Sequence, residues 1–177
     1  NGLKGQGLLI IKNIQNIEPV VHGGGQEYGL RSGTVNLPMA VSMVKSIKLT
    51  MGRLDEASRK LNKMNQSVRT FLEEFRGVYI NSPKDSAPQI INVSFPGVKG
   101  EVLVNAFSKH GVMISTTSAC SSKRGKLNEV LLAMGVPDAR IEGSIRISMG
   151  VHTTEEDIQR FKEVFEEVYE EVKELLK

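Results

Sequence analysis

The sequence predicts an α/β or α+β fold in which helices alternate with short strands. Apolar residues recur at helical spacing across residues 37–75, and apolar and polar residues alternate at 90–95 and 144–148 as in half-buried strands. A capping box at 153–156 begins an amphipathic C-terminal helix with the apolar face Ile158, Phe161, Phe165, Val168, Val172 and Leu175. Strands and helices in this alternation pack as layers around a shared core.

The N-terminal part is predicted to be extended and rich in turns. The apolar run at 8–11 predicts a buried strand, and residues 17–21 predict a second extended piece. The glycine density of segment 22–34 indicates backbone that turns sharply or approaches a ligand closely. The end of this segment, Ser32-Gly33-Thr34, precedes a helix, where amides and hydroxyls can hold a phosphate, although a plain turn explains it equally well.

The remaining elements follow from spacing and from helix-ending glycines. Residues 37–75 form one long helix or two helices broken near Gly52, and 78–80 and 90–95 are strands. A helix at 101–109 ends at Gly111, 112–115 is a strand, and a helix at 126–134 ends at Gly135. Strand 144–148 and the terminal helix complete the chain.

Composition excludes several classes of protein. The 177 residues are 40% hydrophobic and 24% charged, enough for a core, but no apolar run approaches the roughly 20 residues of a membrane span. Interspersed lysine and glutamate, 5% aromatics and no tryptophan disfavour direct nucleic-acid binding. A single cysteine indicates a reducing cytoplasm, and no histidine or cysteine spacing predicts a metal site. The N-terminus, with neither Met nor secretory features, is typical of the middle of a longer chain.

Two residues are candidates for chemistry. Cys120 lies in a run of small polar residues near Lys123 and Arg124, surroundings that favour a reactive thiolate, although a lone cysteine is more often a small buried hydrophobe. Arg146 alternates with two isoleucines in the strand 144–148. It is either an ordinary surface arginine or a guanidinium that binds a carboxylate, as amino-acid recognition requires.

Three separated segments resemble the signature stretches of cysteine desulfurases, in the same order and at similar separations. They are His-Gly-Gly-Gly-Gln-Glu-Tyr-Gly-Leu-Arg-Ser-Gly-Thr at 22–34, Ser-Ala-Cys-Ser-Ser at 118–122 and Ser-Ile-Arg-Ile-Ser at 144–148. Asn-Val-Ser-Phe at 92–95 and Thr-Thr-Glu-Glu at 153–156 match as well, so the resemblance covers essentially the whole chain.

The resemblance implies a homodimeric, fold-type I pyridoxal-phosphate enzyme that converts L-cysteine to L-alanine. Cys120 matches the mobile-loop cysteine that carries the persulfide, and Arg146 matches the arginine that binds the substrate carboxylate. Thr34 matches the threonine that contacts the phosphate of the neighbouring subunit's cofactor. The sulfur then passes to an acceptor protein for iron–sulfur cluster assembly or tRNA thiolation.

The resemblance also implies that the chain is the C-terminal part of such an enzyme. The cofactor-anchoring lysine would fall before Asn1 and Lys4 is not its equivalent, so the chain alone is expected to be inactive. Leu3 and Tyr28 stand where proline and arginine are usual. Residues 1–36 would be the remnant of the large domain, 37–76 connecting helices, and 77–177 the small α+β domain. The alternatives are a cofactor-free persulfide-relay or binding module and a selenocysteine lyase.

Overall fold

The structure is a computed structural model that describes residues 2–13, 17–116 and 128–176. Its elements in chain order are α1 (Leu37–Met51), α2 (Leu54–Leu72), β1 (Tyr79–Ile80), β2 (Ile90–Ser94), α3 (Gly100–Lys109), β3 (Ser115–Thr116), α4 (Glu129–Ala133), α5 (Asp138–Glu142), β4 (Ser144–Ser148) and α6 (Glu155–Val172). The chain divides into two compact units, residues 1–55 and 56–177. None of the helices in the described ranges is long and apolar enough to cross a bilayer.

The first unit contains the glycine-rich segment and α1. Of the two alternatives for residues 37–75, the structure contains two helices with a break near Gly52, since α1 ends at Met51 and α2 begins at Leu54. The side chain of Asn36 caps α1 by accepting a hydrogen bond from the Met39 amide at 3.3 Å, which satisfies one of the amides left unpaired at a helix start.

The predicted buried strand at residues 8–11 is wrong. These residues form no strand, and Leu8, Leu9 and Ile10 are 63%, 71% and 85% exposed. An apolar run becomes a strand only where another strand pairs with it, and no described residue pairs with this one. The extended piece at 17–21 contributes one isolated parallel bridge, between Val21 and Arg31.

The second unit is built on a four-stranded sheet of order β1-β2-β4-β3, antiparallel throughout. The mixture of helices and strands is therefore confirmed, and the antiparallel pairing makes this unit α+β rather than α/β. β3 occupies 115–116 instead of the predicted 112–115. The helix predicted at 126–134 is described from Asn128, whose side chain caps α4, and the five-residue α5 was not predicted.

One face of the sheet and three helices enclose the core. Alternate residues of β2 and β4 point into it, together with side chains of α2, α3 and α6; the buried set includes Val68, Leu72, Ile91, Val93, Leu103, Phe107, Ile145, Ile147, Phe161, Phe165 and Val168. The predicted apolar face of α6 is confirmed except at Leu175, which is 57% exposed in a 3₁₀ turn after the helix. The capping box is one residue later than predicted, between Thr154 and Asp157.

Candidate functional site

The opposite face of the sheet carries polar side chains instead of apolar ones. Asn92 of β2 lies opposite Arg146 of β4, and Arg146 lies opposite Ser115 of β3. On the other side, the amide of Asn81 donates to the carbonyl of Asn92 at 2.8 Å and extends the ladder beyond β1. Because side chains directly opposite one another share a face, Asn81, Asn92, Arg146 and Ser115 form a single row across the sheet, called the polar row below.

Short helix α5 covers one part of this face. Ser94 and Ser144, which are paired in the next row, are 0% and 3% exposed, and the hydroxyl of Ser144 donates to the carbonyl of Ile141 in α5 at 2.8 Å. Asn92 is only 7% exposed, whereas Arg146 and Ser148 are exposed. The polar face therefore changes from buried to open along β4, and Arg146 lies at the open part.

The guanidinium of Arg146 is available for a ligand. Within residues 2–13, 17–116 and 128–176, no group forms an ion pair or a hydrogen bond with this side chain. β4 is an inner strand, so Arg146 is held by pairing on both sides, to β2 and to β3. The backbone of Arg146 is therefore fixed, and a guanidinium with no partner in the described ranges is suited to binding a carboxylate through two parallel hydrogen bonds.

Cys120 lies outside the described residues, but the strand that precedes it is described. Ser115 and Thr116 pair with Arg146 and Ile145 along the outer edge of β4. In the sequence, Cys120 follows the end of β3 by four residues.

Thr34 belongs to the first unit. It is exposed, and no hydrogen bond of its hydroxyl is found in the part of the chain that the structure describes. The amide of the adjacent Gly33 donates to the side chain of Gln26 at 2.9 Å, so that amide stabilises the loop instead of offering itself to a phosphate.

The glycine-rich segment also holds two unusual backbone conformations. Glu27 and Tyr28 have φ angles of 52° and 58°, in the left-handed region that residues with a Cβ seldom occupy. The Tyr28 side chain is 92% exposed. The segment is therefore a tightly turned loop that displays the tyrosine noted in the sequence as a departure.

Sequence reasoning missed the neighbours of Arg146. Asn81 and Asn92 lie on the polar row, and Arg140 of α5 donates to Asn81 at 2.5 Å. The available signal was the position of Asn92 on the polar face of an alternating strand and within one of the matching segments. Its partner in β4 is more than fifty residues away, so local periodicity does not reveal the pairing.

Comparison with known proteins places this arrangement in a family. The model of the class-V aminotransferases matches residues 1–161 of the chain. The chain belongs to the class-V aminotransferase family. Among its curated relatives in this family are cysteine desulfurases named IscS: that of Clostridium botulinum is 37% identical over 178 residues, covering 98% of this chain and 45% of the relative. That of Dictyoglomus turgidum is 37% identical over 159 residues, covering 89% and 40%.

Solved structures of NifS-like proteins are also similar to this chain. A NifS-like protein is 35% identical, with a TM-score of 0.72 over 87% of this chain and 39% of that chain. The NifS-like protein of Rickettsia africae is 28% identical, with a TM-score of 0.72 over 86% of this chain and 40% of that chain. The resemblance to cysteine desulfurases is thus confirmed, and the chain spans less than half the length of the curated relatives it matches.

Proposed function

We propose that this chain supplies the substrate-carboxylate arginine and the persulfide-forming cysteine of a cysteine desulfurase, an enzyme that converts L-cysteine to L-alanine and an enzyme-bound persulfide. The observation that carries the proposal is the exposed guanidinium of Arg146, which has no partner among the described residues and lies on an inner strand, beside the edge strand β3 that precedes Cys120 in the sequence. Both groups that the reaction needs are then attached to adjacent strands.

Arg146 binds and orients the amino acid through its carboxylate. Hydrogen bonds to charged groups contribute about 1.5–3 kcal/mol each, and the fork geometry fixes direction as well as position. Because strands on both sides fix the backbone of Arg146, binding of the substrate has only the side chain of this residue left to order. The substrate sulfur is thereby held where a nucleophile on the neighbouring segment can reach it.

Cys120 is the nucleophile in this proposal. Its thiolate attacks the sulfur of the bound cysteine, a sulfur–sulfur bond forms and the carbon–sulfur bond of the substrate breaks. The electron pair of the broken bond remains with the substrate carbon, which takes a proton and leaves as alanine. Cys120 is left as a persulfide, and an acceptor thiol can then attack the terminal sulfur.

The class-V aminotransferase family uses pyridoxal phosphate, which supplies the electron sink for such carbon–sulfur cleavage. The described residues fit one contact to this cofactor. The exposed Thr34 hydroxyl can donate to a phosphate oxygen, as proposed for the cofactor of a neighbouring subunit in a homodimer. The remaining contacts, including the lysine that anchors the cofactor, are proposed to come from sequence outside this chain.

The finer features of the enzyme are proposed together. Residues 1–36 belong to the large cofactor domain, 37–76 to connecting helices and 77–177 to the small domain. The intact enzyme acts in the cytoplasm as a homodimer and passes sulfur to an acceptor for iron–sulfur cluster assembly or tRNA thiolation.

The cofactor contact is tested by Thr34→Ala. This substitution is expected to weaken the affinity of the intact enzyme for pyridoxal phosphate, as followed by cofactor absorbance.

The substrate role is tested by Arg146→Ala in the intact enzyme. Loss of the carboxylate contact is expected to raise the KM for L-cysteine about 10- to 100-fold, because each 1.4 kcal/mol changes a binding constant tenfold. Arg59→Ala removes an exposed arginine of α2 and serves as the matched control. An unchanged KM in Arg146→Ala would exclude this residue from the substrate site.

The persulfide role is tested by Cys120→Ala and Cys120→Ser. Both variants are expected to bind pyridoxal phosphate normally and to form no protein persulfide, as measured by thiol-specific labelling and mass spectrometry. A persulfide that still forms on the protein would contradict the assignment. Loss of the cofactor absorbance band would also contradict it, because the thiol is proposed to act on sulfur and not to hold the cofactor.

A second candidate is a cofactor-free persulfide-relay or binding module, in which Cys120 accepts sulfur from another protein and passes it on. Pyridoxal phosphate added to the purified chain discriminates between the two. Absence of a cofactor absorbance band, combined with acceptance of sulfur from a donor persulfide by Cys120, supports the persulfide-relay module. A band that is removed by borohydride trapping shows a cofactor site within the chain.

The third alternative, a selenocysteine lyase, is tested by comparing alanine release from cysteine and from selenocysteine by the intact enzyme.

A further inference from the structure

A continuous hydrogen-bond relay runs from α5 to the strand that carries Arg146. The guanidinium of Arg140 donates to Asn81 Oδ1 at 2.5 Å, and Asn81 Nδ2 donates to Asn92 Oδ1 at 2.6 Å. Asn92 Nδ2 in turn donates to the carbonyl of Ile145 at 3.0 Å. Asn81 Nδ2 also lies 2.6 Å from the hydroxyl of Ser94. Four residues thus connect a helix on the polar face to the backbone immediately before Arg146.

The chemistry at the two ends fixes the direction of every amide in this relay. An arginine can only donate, so Asn81 must turn its oxygen toward Arg140 and its nitrogen toward Asn92. A backbone carbonyl can only accept, so Asn92 must turn its nitrogen toward Ile145 and its oxygen toward Asn81. The Arg140 guanidinium alone would fix the orientation of both side-chain amides, and so would the Ile145 carbonyl. Both groups require the same orientation.

Arg140 is itself held in place. Its guanidinium carbon lies 4.6 Å from the centroid of the Tyr79 ring, a cation–π geometry that adds to the hydrogen bond with Asn81. Asn92 is 7% exposed, so its amide is shielded from water that would otherwise exchange with these partners. The relay is therefore a preformed feature of the folded unit.

We propose that Arg140, Asn81 and Asn92 are positioning residues that keep Arg146 open to a carboxylate ligand. Asn92 lies directly opposite Arg146 in the β2–β4 register, so an acceptor turned toward β4 would compete with the ligand for the guanidinium. The relay turns the Asn92 oxygen away, toward β1, and places its nitrogen toward β4. The inference rests on the proposed carboxylate-binding role of Arg146 and adds the reason why its guanidinium has no partner in the described part of the protein.

The test replaces the amide nitrogen of Asn92 by an acceptor of the same shape. Asn92→Asp puts a carboxylate oxygen on the β4 side, where Arg146 can pair with it. In the intact enzyme the KM for L-cysteine is expected to rise about tenfold or more. The kcat at saturating substrate is expected to stay within about threefold, because the lost binding is common to the ground and transition states. The dissociation constant of the product L-alanine, measured by calorimetry, is expected to weaken by the same factor as KM.

Three further variants separate positioning from folding. Arg140→Met removes the donor that orients the Asn81 side-chain amide and is expected to raise the KM for L-cysteine about 3- to 10-fold. Arg140→Lys keeps a donor at this position and is expected to leave the KM close to that of the unsubstituted enzyme. Asn105→Asp makes the same chemical change on the exposed surface of α3 and is expected to leave KM unchanged. If Asn92→Asp does not fold, the comparison of Arg140→Met with Arg140→Lys still tests whether these residues position Arg146.

The outcomes distinguish this inference from the proposed function. A raised KM in Arg146→Ala with unchanged values in Asn92→Asp and Arg140→Met overturns the relay and leaves the substrate role of Arg146 intact. An unchanged KM in Arg146→Ala overturns both. Equal losses of kcat in Asn92→Asp and Arg140→Met without a change in KM or in alanine binding would make the relay a purely structural element and also overturn the inference.

Discussion

Phe165 lies at the centre of the core, and replacing it tests the description of how the second unit is stabilised. The ring is 0% exposed and packs against five others: Phe71, Phe75, Phe95, Phe107 and Phe161, with centroid distances of 5.5, 4.9, 5.6, 6.0 and 5.8 Å. These rings come from α2, α3, α6, the turn after α2 and the residue after β2. Phe165 therefore joins elements that are distant in sequence.

The expected loss follows from the volume removed and from the ring contacts. Truncating a buried phenylalanine to alanine costs about 3–5 kcal/mol in unfolding free energy, depending on how far the site collapses. Aromatic pairs add about 0.5–1.5 kcal/mol beyond buried area, and Phe165 makes five such contacts. Because the surrounding rings come from several elements, the cavity left by the truncated side chain closes only in part. We therefore expect the free energy of unfolding to fall by about 4–5 kcal/mol in Phe165→Ala and by about half of that in Phe165→Leu.

The assay is urea unfolding of the 177-residue chain followed by circular dichroism. The midpoint for Phe165→Ala is expected to fall with little change in the slope against urea, which indicates lost stability rather than a changed unfolded state. Val102→Ala, at a half-exposed position of α3, is the control and is expected to change stability by less than about 0.5 kcal/mol. A loss below about 2 kcal/mol in Phe165→Ala at an unchanged slope would refute the central role of this ring.

Three further predictions concern single contacts. Gly143→Ala would place a Cβ 2.2 Å from the Phe95 carbonyl oxygen, so β2 and the start of β4 must separate; we expect a loss of more than about 3 kcal/mol in the same urea assay. Thr154→Ala removes the side-chain half of the capping box, in which Thr154 Oγ1 accepts from the Asp157 amide at 3.1 Å, and should cost about 1 kcal/mol. The hydrogen bond from Lys63 to Glu155, at 2.6 Å, and then the charge of Lys63 hold the pKa of the Glu155 carboxyl below its ordinary value of 4.5. This contribution to stability is therefore present above that value and is lost as the pH falls through the lower, folded-state pKa. In Lys63→Met, carboxyl titration by NMR should show the pKa of Glu155 moved up toward the ordinary value.

The elements with strong local signals were predictable from sequence. The face of α6 from Ile158 to Val172 follows helical spacing because a long amphipathic helix buries one stripe, and the core confirms it. The strand at 144–148 was predicted with its two isoleucines on one face, and both are buried in the structure. The break at Gly52 was also correct, because glycine is a poor residue for a helix interior.

The parts that failed depend on partners that a local pattern does not identify. Residues 8–11 have the composition of a buried strand, yet a strand exists only where its backbone groups are paired. The five residues of α5 are too few to show a periodicity. For the site, alternation correctly put Arg146 opposite the isoleucines, but its neighbours on the polar row follow from strand register across more than fifty residues. Cys120 was singled out from its surroundings and lies outside the described residues, so its role stays a prediction.

The strand order has a consequence for synthesis. β4 is the last strand in the sequence, yet it lies between β2 and β3, which are both made earlier. Until residue 148 has emerged, β2 and β3 have no partner between them, and each presents an open row of backbone donors and acceptors. The nascent polypeptide therefore passes through a stage in which its half-built sheet is open to association with other chains, and that stage ends only when the arginine-bearing strand inserts.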